Sequence, residues 1–212
     1  MTDFDALIDK LANDAAPVRR HSTRQGRLAL IAVGVATLGI TFLIRGFRPE
    51  IMAGTPAPML VVALGLMLIL AIAAGVSAIR MARPQVGAAP SGAPWALAAL
   101  LLLPIVALIG IAAQPARMAG LALEPGIGCL AFGLVAGLAS LAFLTLWLRG
   151  GAPVAPERAS WLAGLASGAI GALTITLECA HDPLTHVGIW HVAIPLVMAA
   201  GARLALPRLL RW

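Results

Sequence analysis

A chain of 212 residues that is 60% hydrophobic, only 11% charged and +6 in formal net charge has too little polar surface to coat a globule in water. With a mean hydropathy of +0.95 it reads as an all-α integral membrane protein of one compact unit, not a soluble enzyme. The basic balance calls for no direct nucleic-acid partner, because membrane topology uses arginine too.

The opening stretch "TDFDALIDKLANDAAPVRR" carries four of the nine acidic residues. Phe4, Leu7, Ile8 and Leu11 recur at helical spacing and predict one apolar stripe. Thr2 or Asp3 can cap the start, Asp3 and Asp5 suit the positive end of the helix dipole, and Pro17 stops it. Arg19 and Arg20 then lead towards the membrane. A helix of about fourteen residues is marginal alone in water, so the stripe needs a surface. The bilayer suits four aspartates and a single lysine poorly. The chain's own cytoplasmic loops are one alternative. A basic protein groove is the preferred one, with Asp5 and Asp9 supplying charge beside the stripe. Acidic peptides can occupy nucleic-acid-binding faces, which points to a transcription factor as partner.

Six stretches then qualify as bilayer-spanning helices: about 27–44, 58–79, 94–113, 126–148, 159–178 and 187–206. Two regions follow, a cytoplasmic arm over 1–26 and a six-helix transmembrane domain over 27–212. Six spans put both termini on one side. Twelve of the fifteen basic residues fall there, and only Arg45, Arg48 and Arg117 fall opposite. The positive-inside rule makes the terminal side the cytoplasm, in an inner-membrane protein with no cleaved signal peptide expected. The spans hold almost no charge, which lowers the case for a proton-coupled transporter.

The chain's two cysteines reach one depth at the outer face. Cys129 opens the fourth span and Cys179 closes the fifth, each about 30 Å above the loop that joins those helices. Gly133 and Gly137, with Gly164 and Gly168, form a GxxxG in each span and favour close packing of the pair. Thiols so placed could meet the spacing of a disulfide, in a compartment where one persists.

Three of the four histidines lie in or beside "LECAHDPLTHVGIWH". His181, Asp182, His186 and Glu178 are the candidates to tune the thiols or to bind a metal. The ligand types suit zinc, but the spacing matches no signature. His186 and His191, five apart, are not expected to share a helical face. No cofactor is expected, and metal binding is the lesser reading.

The opening "LIDKLANDAAPVRR", Cys129, "LECAHD" and the closing "RLLRW" together resemble the NrsF family of membrane-bound anti-sigma factors, over essentially the whole chain. The resemblance implies that the arm binds a sigma factor of the extracytoplasmic-function class. It also implies that Cys129 and Cys179 are needed for a response to oxidative or heavy-metal stress, and that the chain is not an enzyme. Relatives commonly have an aromatic pair where this chain reads Trp190-His191. A membrane thiol-disulfide oxidoreductase and a small transporter remain the rival readings. The first lacks a CxxC or a second cysteine pair, and the second lacks intramembrane charge.

Overall fold

The computed structural model describes residues 3–14, 22–84, 92–181 and 183–210, and every regular element among them is helical. α1 (Asp3–Asp14) is the arm helix, with Phe4, Leu7, Ile8 and Leu11 all exposed. Pro17, Arg19, Arg20 and Arg211 lie outside the described residues. Six segments are long and apolar enough to cross a membrane: 23–45, 58–81, 92–113, 123–149, 156–178 and 184–205. The first five expected spans fall wholly inside them, and the sixth overruns by one residue. The second span begins at Pro58 as expected and the fifth begins three residues early at Pro156; each proline occupies the first helical position, where a missing N–H costs nothing.

The first span is α2 (Thr23–Arg45), followed by a single turn, α3 (Pro49–Met52), and the second span, α4 (Pro58–Met81). The third is broken at Leu101 into α5 (Gly92–Leu100) and α6 (Leu102–Ala113). Pro104 causes the break: it has no N–H for the Leu100 carbonyl, and its ring crowds that oxygen. A 3₁₀ turn (Pro115–Leu121) leads into α7 (Leu123–Arg149), and α8 (Pro156–Glu178) returns antiparallel to it. The last span starts as a π helix (Pro183–His191) and continues as α9 (Val192–Ala205), with α10 (Pro207–Leu210) after it.

α8 runs through the middle of the bundle and is buried nearly all round. Its sequence explains this, since Ala and Gly at 159, 163, 164, 166, 168, 169, 171 and 172 let neighbouring backbones close in from every side. The outer helices instead present Ile31, Val35 and Leu43 on α2, and Ile105, Leu108 and Ile109 on α6, as a lipid-facing surface.

The glycine pattern works differently from the sequence expectation. A Cβ on Gly137 would lie 2.7 Å from the Ser167 carbonyl oxygen, so that glycine does face α8. Gly164 and Gly168, however, turn to the last span, against Ala199 and Pro195. The α8 residue that meets α7 is Gly171, whose missing side chain would overlap the Gly133 carbonyl. Position 171 lies three residues past 168 and so about 60° round the helix, enough to face a different neighbour. At the other end of the hairpin Trp147 Nε1 donates to the Ile79 carbonyl (3.2 Å), and the Ala152 N–H donates to that of Ala82 (2.8 Å). These bonds anchor α7 and α8 to α4.

Candidate functional site

The close α7–α8 crossing carries the two cysteines to one point. Cys129 lies in the second turn of α7, and Cys179 is the residue at which α8 ends. The Cys179 N–H still donates to the Ile175 carbonyl (2.8 Å), but its ψ of 120° is already extended. The two Sγ atoms are 3.4 Å apart. A disulfide is about 2.05 Å long, so the pair consists of two free thiols that must approach by about 1.4 Å to join. Cys179 is buried and Cys129 half-buried. A hydrogen bond from Cys129, aided by His186 and His191, holds the Cys179 thiol well below its ordinary range, although burial opposes the shift. Cys179 is therefore the more acidic thiol of the pair, and the thiolate is the reactive form.

The histidines form a continuous chain beside the sulfurs. His181 Nδ1 lies 3.3 Å from Cys179 Sγ. The His181 ring stacks on His186 at 4.8 Å, and His186 meets His191 edge-on at 5.2 Å. The last contact corrects the sequence expectation. Residues five apart diverge on an α-helix, but Pro183–His191 is wound as a π helix, whose bonds reach back five residues and bring 186 and 191 together. Pro195 was a legible warning, because it cannot donate to the His191 carbonyl and so disturbs the winding there.

Thr176 positions the His191 ring. Its hydroxyl oxygen lies 2.7 Å from the Ala172 carbonyl, 2.8 Å from His191 Nδ1 and 3.4 Å from Met67 Sδ. His186 and His191 are both fully buried, and their Nε2 atoms have no hydrogen-bond partner among the described residues. An unmet buried polar atom costs about 1–3 kcal/mol, so these two call for an explanation.

Of the carboxylates proposed from sequence, Glu178 is engaged by Arg45. Its Oε1 accepts from Arg45 Nε at 2.7 Å. The Arg45 guanidinium also lies 5.0 Å over the Phe132 ring of α7. Just beyond, Gly46 adopts φ +76° and bends the chain, and the Arg48 N–H donates to the Leu177 carbonyl (2.9 Å). The far end of α2 is thus clamped to the end of α8, next to Cys179. Asp182 lies outside the described residues. Sequence reasoning missed Arg45, Thr176 and the part played by His191. Arg45 reads as a topological charge and Thr176 is hidden in an apolar run; neither reveals its partner without the fold.

Four side chains could hold a metal ion. The donor atoms of Cys129, Cys179, His181 and His186 all lie within 4.8 Å of one another. They come from α7, from the end of α8 and its following turn, and from the π helix, which is why no local spacing announced them.

A family described as "NrsF: Negative regulator of sigma F" matches residues 11–212. The chain is 31% identical to the anti-sigma-F factor NrsF of Caulobacter vibrioides, over 98% of this chain and 99% of that protein. It is 29% identical to a probable anti-sigma-F factor NrsF of Azospira oryzae, over 97% and 98%. No solved structure matches.

Proposed function

This chain belongs to the NrsF family, and from that premise we propose that it is a membrane-bound anti-sigma factor that senses stress through Cys129 and Cys179. The family is one of regulators, not enzymes, and the regulated partner is a sigma factor. In our reading the sigma factor is of the extracytoplasmic-function class and is held by residues 1–26. Both termini are cytoplasmic in the inner membrane, and the cysteine cluster faces the opposite, oxidising side.

The observation that carries the sensing role is the 3.4 Å contact between two free thiols at the end of the bundle away from the start of α2. A peroxide can convert them by balanced steps. The Cys179 thiolate attacks one oxygen of hydrogen peroxide and becomes a sulfenic acid, displacing hydroxide, which takes up the proton the thiol had released and leaves as water. Cys129 then attacks that sulfur, and a second water leaves as the disulfide forms. Two thiols lose two electrons and two protons, and one peroxide is reduced to two waters. A thiophilic metal reaches the same sulfurs without oxidation.

The route to the arm runs through α2, the helix that follows it. Arg45 at one end of α2 holds Glu178, adjacent to Cys179, and the other end of α2 leads to α1 about 34 Å away. Drawing Cys179 towards Cys129 pulls on Glu178 and so on α2, changing how residues 3–14 are presented. Near-complete release would require about 5.5 kcal/mol of difference in affinity between the two states.

Two results test this reading. Replacing both cysteines with serine should abolish induction while the sigma factor stays bound. Induction as strong as in the wild type would refute the sensor. Arg45→Glu should weaken induction several-fold without disturbing the thiol pair, as expected for a partly buried ion pair. The double reversal Arg45→Glu with Glu178→Arg should restore it; an unrescued double reversal would remove α2 from the route.

A further inference from the structure

The histidines stand closer to the sulfurs, and in greater number, than tuning one thiol requires. His181 and His186 add two imidazoles to the two sulfurs, and all four donor atoms lie within 4.8 Å of one another. Tetrahedral zinc with bonds of about 2.0–2.3 Å sets its ligand atoms roughly 3.3–3.8 Å apart. Two edges come within about 0.4 Å of their tetrahedral lengths, Sγ to Sγ at 3.4 Å against roughly 3.8 Å and Cys179 Sγ to His181 Nδ1 at 3.3 Å against roughly 3.6 Å. His186 is buried and its Nε2 has no hydrogen-bond partner among the described residues, which a bound cation would account for.

We infer that Cys129, Cys179, His181 and His186 form a tetrahedral site for a divalent, borderline-soft cation of the zinc type. The donor set selects the class. Two sulfurs and two imidazole nitrogens suit zinc-like ions, whereas magnesium and calcium take oxygen ligands. Charge selects the valence. Two thiolates and two neutral imidazoles sum to −2, which a divalent ion cancels, while a monovalent one would leave net charge in a largely buried site. The Arg45–Glu178 pair next to it is neutral overall and does not alter that balance.

The ligands divide between elements that the bare thiol contact does not join. Cys129 belongs to α7, Cys179 and His181 follow α8, and His186 lies in the π helix of the last span. His191 supports the set from behind, with its ring edge-on to His186 and its Nδ1 2.8 Å from the Thr176 hydroxyl oxygen. Binding would therefore fasten the π helix to the α7–α8 hairpin. That consequence for signalling rests on the sensor reading above, but the binding itself does not.

The test uses the full chain, reduced and stripped of metal in detergent, titrated with cobalt(II) and with zinc(II). The expected result is one ion per chain, visible bands of tetrahedral cobalt and a thiolate-to-cobalt charge-transfer band that zinc abolishes. Cys129→Ser with Cys179→Ser should remove the charge-transfer band. His181→Ala and His186→Gln should each weaken binding by at least the roughly tenfold to hundredfold that even an outer partner contributes. His181 is exposed, so its variant keeps the test open should His186→Gln misfold. Failure of the wild type to bind, or histidine variants with unchanged affinity and spectrum, would overturn the assignment. Tight binding by all four ligands in a protein whose double-serine form still responds in cells would instead sink the sensor reading and leave this one standing.

Discussion

Gly171→Val should separate α7 from α8 and abolish rapid joining of the two thiols. The crossing has no room for a side chain: a Cβ at 171 would overlap the Gly133 carbonyl oxygen and lie 3.1 Å from the Gly137 nitrogen. These are backbone atoms of a continuous helix, so relief requires the helices to move apart. Overpacking of this kind costs about 1–3 kcal/mol, roughly 2–12 °C in melting temperature for a chain of this size. Even Gly171→Ala should fall in that range. Gly39→Ala supplies the control, because a Cβ there meets nothing within 4 Å and alanine favours a helix. The sulfurs lie one to two turns beyond the crossing, so separation there widens the 3.4 Å gap. Disulfide yield under mild oxidation should fall at least tenfold in Gly171→Val and stay normal in Gly39→Ala. A normal yield at position 171 would mean that the crossing does not hold the thiols together.

That dependence marks what the sequence could and could not disclose. Six spans were legible because about 20 apolar residues are what a bilayer demands, whatever the tertiary packing. The common depth of Cys129 and Cys179 was legible because helical rise is fixed and short loops make neighbours antiparallel. Which face each small residue turns was not. Gly164 and Gly168 fit the motif as well as Gly133 and Gly137, yet they serve the last span, because a helix surrounded on all sides offers several equivalent small faces. The histidine cluster was hidden for a different reason. His186 and His191 become neighbours only through π winding, an exception to the helical period on which any reading of spacing depends. Arg45 and Glu178 lie 133 positions apart, and nothing local connects them.

Leu7→Asp combined with Ile8→Asp should free the sigma factor almost completely. The reasoning starts from an unburied stripe: Phe4, Leu7, Ile8 and Leu11 are 75%, 50%, 59% and 62% exposed, on a helix of 12 residues that has little stability of its own. A partner that buries Leu7 and Ile8 gains about 1.5–3 kcal/mol from each side chain. Losing both is worth roughly 3–6 kcal/mol, a factor on the order of 10² to 10⁴ in affinity. Replacing Asp5 and Asp9 by lysine should act through a different term, slowing association and weakening as salt is raised. Binding measured between the full chain in lipid nanodiscs and the purified sigma factor separates the two effects. In cells the Leu7→Asp, Ile8→Asp variant should express the regulon without stress, whatever the state of the thiols, because the sensor would no longer have anything to release. Affinity within threefold of the wild type for Leu7→Asp with Ile8→Asp would move the sigma-factor site off the arm, and with it the proposed path from Glu178 through α2.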